Sequence, residues 1–203
     1  MKDNKQLSFS TIPFIQENIP AFTEDEVRGQ EWIANGKKND YPNWLYSLYT
    51  DSATLQTLID GVVDYVGGDE INMNFDLGWG KNKVNRLGQT INDLVGVCAT
   101  DYCVFGGFFI QIIRNTVGKV SELYWLDYRY VRSDKKNNTF YYSEDFAKDK
   151  TYGRCKCLVY PKFIPDFDDN VSIFFCKRPQ TRGTYPLPRY SGALKPIMTD
   201  IKI

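Results

Sequence analysis

The sequence predicts an α+β chain, with N-terminal helices followed by a mainly antiparallel β region. Three observations predict it. Apolar residues recur at spacings of three and four through about 44–66 and 84–105, the signature of amphipathic helices. From Phe108 to Cys176 the chain changes to short aromatic and β-branched runs separated by turn residues, which suit a pleated, half-buried surface. Between these halves stands Gly106-Gly107, where the absence of Cβ lets a helix stop and the backbone turn at once into a strand.

Residues 1–40 lack sustained periodicity and read as an N-terminal arm, with Pro13, Pro20, Gly29 and Gly36 breaking it up. The segment reads either as a partly disordered arm or as one that docks on a neighbouring subunit; Ile12, Phe14, Ile15, Ile19 and Phe22, isolated apolar tags in a polar segment, favour docking. Thr23 with Glu26 three residues on forms a capping-box pattern and predicts a short helix carrying Val27, Trp32 and Ile33. Tyr41-Pro42 opens the ordered domain, residues 41–203. Leu45, Leu48 and Tyr49 share one helical face, Asp51 or Ser52 caps a second helical run through Val66, and Gly67-Gly68 ends it. A further helix is expected over 84–105, its stripe made by Leu87, Ile91, Leu94, Val95, Cys98, Tyr102 and Phe105.

Strands are expected at 108–115, 119–126, 139–143, 155–160 and 171–176, with turns at 115–118 and 133–138. Residues 186–194 read as a turn leading into a last helix, with Pro186 and Pro188 fixing φ before it and Pro196 in its first turns or kinking it. The apolar run Ile197-Met198-Thr199-Asp200-Ile201 has nothing after it to pack on, so the chain is expected to be part of a longer protein cut at the start of a helix.

The composition narrows the function. With 25 basic and 25 acidic residues the net charge is zero, against a surface that holds nucleic acid by bulk charge. The absence of histidine removes the commonest general base and metal ligand. Five cysteines, an odd number, and a start without an apolar signal region suggest reduced thiols in a cytosolic setting. No apolar run approaches the ~18 residues of a membrane span. Cys155-Lys156-Cys157 is a C-x-C rather than a C-x-x-C pair and reads as strand cysteines. The glycine pairs at 67–68 and 106–107 follow helices, whereas phosphate loops precede them. Asp166, Asp168 and Asp169 form an acidic cluster without the glycine and terminal Glu of a calcium loop; they are the one motive for a metal-dependent nuclease. Arg129, Arg132, Lys135 and Lys136 interleave with Tyr128 and Tyr130, a pattern able to bind single strands but better matched to strand-edge cations that discourage edge pairing.

Three stretches carry a resemblance. YPNWLYSLYTDSATLQTLIDGVVDYVGG (41–68) has a Tyr-Pro start, a helix after a Ser/Thr cap and a glycine stop. DYCVFGGFFIQIIRNTVGKVSELYWLDYRYVR (101–132) has a helix ending at Phe-Gly, a strand, an Asn-x-x-Gly turn and a strand running on to an Arg. YPLPRYSGALKPIMTDI (185–201) looks like the Pro- and Tyr-bearing lead-in to a further helix. Together they resemble the N-terminal, wing part of tailed-bacteriophage portal proteins, and the segment 141–146 is similar to portals from phages of gut Bacteroidetes.

The resemblance implies a portal wing-like fold and a structural virion protein, not an enzyme. It implies a homo-oligomeric ring, dodecameric in the full-length form, through which double-stranded DNA is packaged and ejected. The implied partners are the terminase large subunit, capsid and head–tail adaptor proteins, with no membrane. The implied location is the virion, and the host cytoplasm during assembly. It brings no catalytic, cofactor-binding or metal residues. Trp32, Trp44 and Tyr46 are candidate subunit contacts or, equally, internal core. The alternative in the same class is another head–tail adaptor or minor virion protein.

Overall fold

A computed structural model describes residues 19–68, 76–144, 146, 156–166, 169–179 and 183–201. The two helical runs expected over 44–66 are α1 (Tyr41–Asp51) and α2 (Ala53–Gly67). Ser52 joins them. Its N–H closes α1 on the Leu48 carbonyl at 3.1 Å, and its Oγ accepts the Leu55 N–H at 3.1 Å to cap α2. Leu45 and Leu48 of α1 and Leu55 and Ile59 of α2 point into one core.

The expected start at Val84 is not helical. α3 spans Ile91–Phe105, and residues 84–90 fold as a tight loop before it. The Asn85 side chain takes the Leu87 N–H at 3.1 Å, and Gly88 lies at φ +81, so the backbone leaves helical space. Lys83 bridges to Thr90, and the Val84 carbonyl accepts the Leu123 N–H, which buries Val84 completely. α3 then begins with a capping box: Thr90 Oγ1 accepts the Asp93 N–H at 3.2 Å and the Asp93 carboxylate accepts the Thr90 N–H at 2.8 Å.

The glycine pair behaves as the sequence requires. Gly106 sits in the left-handed region at φ +86 and its N–H closes α3 on Tyr102. Gly107 opens the next strand, where a Cβ would lie 2.6 Å from the Cys176 carbonyl of the neighbouring strand.

That strand, β3 (Gly107–Arg114), is the centre of a three-stranded antiparallel sheet between β4 (Val120–Leu126) and β8 (Val171–Lys177). In the β3–β4 turn Asn115 Oδ1 accepts the Val117 and Lys119 N–H groups, both at 3.0 Å. A second sheet runs β5 (Val131–Ser133), β6 (Thr139–Tyr142), β7 (Leu158–Pro161). β5 was not among the expected strands. The expected helix after Thr23 is also absent: residues Glu24–Glu26 are strand β1, paired antiparallel with β2 (Ile33–Asn35). Thr23 Oγ1 donates to the Asp25 carboxylate instead of capping.

The last helix, α4 (Leu194–Asp200), follows a 3-10 turn over Arg189–Ala193, and Pro196 falls in its first turn, where a missing N–H costs nothing. The main core lies between the helices and both three-stranded sheets, where Phe109 is fully buried and stacks on Phe175 at 4.3 Å. Helices stand mostly N-terminal to the sheets, so the fold is α+β.

Candidate interaction surface

The N-terminal hairpin is fastened by buried and half-buried polar groups. The Glu24 carboxylate accepts the Thr184 N–H at 2.8 Å and the Tyr185 N–H at 2.7 Å. The Tyr185 hydroxyl donates to the Ile33 carbonyl of β2 and accepts the Ser133 N–H of β5 at 3.0 Å. Arg132, 0% exposed, donates through Nε to Asn39 Oδ1, and through its terminal nitrogens to the carbonyls of Asn39, Arg129 and Val131 at 2.8–3.0 Å. It also lies over the Phe146 ring at 5.0 Å. Residues 24–35 of the expected arm thus pack on the chain's own body, while Ile12, Phe14 and Ile15 lie outside the described residues.

The three candidate contact residues fall in different settings. Trp32 is buried among Val27, Ala34, Tyr141 and Phe146, edge-on to Phe146 at 4.9 Å. Trp44 is half-buried beside Tyr41 and packs on the main core. Tyr46 is the most open, at 38% exposed, and its ring face carries the Arg129 guanidinium 4.0 Å from the centroid. The structure does not bring the three together.

The basic and aromatic residues near 130 do not form a strand-binding patch. Tyr128 is buried, Arg132 is buried, and Arg129 is clamped by both oxygens of Asp127. Lys135 reaches Glu26 at 3.2 Å on the surface, an exposed pair of little energetic weight.

Little chemistry is prepared among the described residues. No group of three or more Cys, Asp or Glu is placed to hold a metal ion; Asp166 is exposed, and Asp168 and Cys155 lie outside the described residues. Among the described residues no two cysteines are joined in a disulfide. Burial pushes the Cys98 thiol up to about 12, and raises Cys103 and Cys176 as well, the opposite of what an attacking thiolate needs. Asp101 is the one strongly perturbed carboxyl. Burial raises it well above the ordinary range, against the pull of the Trp125 indole N–H at 2.7 Å and the Tyr128 N–H. It faces protein on all sides and serves packing. No described helix is long and apolar enough to cross a membrane.

Sequence reasoning missed a surface feature on α2. Leu55 and Ile59 point inward, yet Leu58, Val62, Tyr65 and Val66 of the same helix are 65%, 49%, 89% and 47% exposed. Their spacings of four, three and one place them on one adjoining stripe. The signal was in the sequence: α2 is apolar around far more than the ~100° arc that one packed face requires. An apolar stripe open to water makes this face of α2 a candidate interaction surface.

No family model and no curated protein matches the sequence. Solved structures do. The fold is similar to a chain of the virion of a native gene transfer agent particle, at TM-score 0.53 and 13% identity, over 77% of this chain and 41% of that one. It is also similar to a chain in the neck of an empty gene transfer agent particle computed with C6 symmetry, at TM-score 0.54 and 12% identity, over 80% and 44%. A third likeness is to a chain in the neck of the native particle computed with C12 symmetry, at TM-score 0.51 and 14% identity, over 77% and 42%. This chain thus spans less than half the length of the chains it matches, and what it shares with components of phage-like particles is the fold.

Proposed function

We propose that this protein is a structural component of a phage-like particle and, more finely, the wing part of a ring-forming portal subunit. The observation that carries the reading is the shared fold, over more than three quarters of this chain, with chains of the gene transfer agent virion and neck. The resemblance of residues 41–68, 101–132 and 185–201 to portal proteins points the same way. So does α2, whose uncovered stripe suits a subunit that meets neighbours. In this reading copies of the chain form a closed ring at the head–tail junction, double-stranded DNA passes through its centre, and the terminase large subunit, capsid and adaptor proteins bind around it. The protein acts by geometry and carries no catalytic group.

Negative-stain images and native mass spectrometry of the longest product of its reading frame test this. Rings with a central hole are expected; a stable monomer at every concentration overturns the ring. The likeness to chains of the gene transfer agent neck also favours a second reading, another head–tail component of such a particle. Capture of purified terminase large subunit separates the two, since a portal retains it and a tail-side adaptor does not.

A further inference from the structure

We propose that residues 76–90 form a strap that closes the outer edge of β4, and that opening the strap lets this edge pair with β4 of a second copy. The strap acts within one chain, so it does not depend on the ring reading above.

β4 is an outer strand in the order β4-β3-β8, and an uncovered outer strand offers its N–H and C=O groups to any strand that comes near. The far side of the sheet is already occupied: Lys162 bridges to Ile173 of β8, and the Phe163 N–H donates to the Ile173 carbonyl at 2.8 Å. On the β4 side the strap takes the place of a strand. The Leu123 N–H donates to the Val84 carbonyl at 2.8 Å, Asn85 Nδ2 donates to the Leu123 carbonyl at 3.0 Å, and the Trp79 indole N–H donates to the Ser121 carbonyl at 3.0 Å. Two of the three groups that the strap supplies are side chains. It therefore satisfies the edge without presenting a regular edge of its own, and the sheet ends there.

The strap is braced to hold this position. Asn85 Oδ1 accepts the Leu87 N–H at 3.1 Å, the Val84 N–H donates to the Gln89 carbonyl at 2.9 Å, and the Ile91 N–H donates to the Asn82 carbonyl at 2.9 Å. The Asp76 carboxylate accepts the Gly78 and Gly80 N–H groups at 2.7 and 3.1 Å. Val84 and Asn85 are fully buried, and Val84 packs with Leu94 and Cys98 of α3. Arg86 reaches Glu122 of β4 at 3.3 Å.

Beneath the strap, β4 suits pairing with its own copy. An antiparallel pairing centred on Leu123 sets Leu123 against Leu123, each N–H meeting the other's carbonyl, and Glu122 against Tyr124. Both Leu123 backbone groups point outward for this, as their bonds to Val84 and Asn85 show. Glu122 is the one charged residue of Val120–Leu126, so this register opposes no like charges. Tyr124 and Glu122 already bond within one chain. β4 also lacks Pro, Lys and Arg, the residues that blunt an exposed edge. The strap carries the cations instead, with Lys81, Lys83 and Arg86 exposed. A two-fold contact of this kind joins the same patch on both copies and stops at two chains.

Opening the strap in the full chain tests the proposal. Trp79→Ala with Asn85→Ala removes two of the three bonds to β4 and the acceptor that closes the strap's own turn. In dilute solution the Leu123 amide should exchange its hydrogen about 100-fold faster than in the wild type. As the concentration rises, analytical ultracentrifugation should show a pairing that the wild type lacks, and the Leu123 amide should slow again, its new partner being the second copy. Circular dichroism checks that the variant folds. Where it does not, Asn85→Ser takes its place: the hydroxyl still accepts the Leu87 N–H but is too short to reach the Leu123 carbonyl, and the same changes should follow at about 10-fold.

A folded variant whose Leu123 amide stays as protected as in the wild type at every dilution overturns the strap. One whose Leu123 amide exchanges fast, yet which associates no more than the wild type, overturns the pairing of β4 with a second copy. So does one that associates while its Leu123 amide remains fast, since its contact then lies elsewhere.

Discussion

The β1–β2 hairpin and the α1–α2–α3 layer are held to the body of the fold by opposite means. The hairpin is short, three residues a strand, and is fixed by directional groups: the Glu24 carboxylate, the Tyr185 hydroxyl and the Arg132 guanidinium. The helices are fixed by Leu45, Leu48, Leu55, Ile59, Val104 and Phe105, which need only be apolar and the right size. The difference teaches what each region can spare. Removing one directional partner strands several buried acceptors at once. The helical layer has apolar surface left over, and α2 presents the surplus to solvent.

Arg132→Met attacks the polar side hardest. It leaves Asn39 Oδ1 and three carbonyls without this donor in a dry setting, and should cost about 3–5 kcal/mol, read from urea denaturation midpoints. Tyr185→Phe keeps the ring but removes the link between β2 and β5; about 1–3 kcal/mol is expected by the same measurement.

Asp101 sharpens the helical side. Its folded carboxyl titrates well above the ordinary value, so from the usual carboxylate range upward the unfolded chain has released a proton that the folded chain still holds. Stability therefore falls as pH rises between those two values. Asp101→Asn cannot ionise, and the difference between variant and wild-type midpoints should grow in the variant's favour across that window. Thr90→Ala removes the α3 cap and should cost about 1 kcal/mol, seen as a shift in thermal midpoint. Smallest of all, V62D with Y65D should leave folding stability within about 0.5 kcal/mol per site, because Tyr65 is 89% and Val62 49% exposed. A larger loss would mean that the α2 stripe is internal packing, and the contrast between the two regions would collapse.

The regions also differ in how far the sequence revealed them. Apolar spacing placed α1 and α2, and Ser52 and Gly106 act as the caps their chemistry suggests, because these are local effects. The start of α3 went wrong for a local reason too. Thr90-x-x-Asp93 is a capping signal, but Leu87 extended the apolar stripe past it while Asn85 and Gly88 closed a loop. The hairpin was illegible because its partners are remote. Nothing in residues 23–26 announces that Glu24 will find the backbone of Thr184, and a capping box within three residues is the cheaper local reading. β5 was hidden because its central residue is an Arg, and a buried Arg is the rarest occupant of a strand interior. Of the three aromatic contact candidates, sequence alone could not separate buried Trp32 from half-open Tyr46. The α2 stripe needed the knowledge of which half of an apolar helix is covered.

The fastenings of the hairpin have a kinetic side. Glu24 meets Thr184 across 160 residues, Tyr185 meets Ile33 across 152, and the Asp200 carboxylate meets Ser52 at the N-cap of α2 across 148. Contacts this distant close late, since chain entropy must be lost before they return anything. On a ribosome the hairpin strands and then α1–α3 emerge long before residues 184–200, so the helices can collapse on one another while Glu24, Ile33 and Ser52 still await their partners. The open stripe of α2 is then present before the hairpin is locked, so for part of its folding time the chain displays its stickiest helix on an unfinished body.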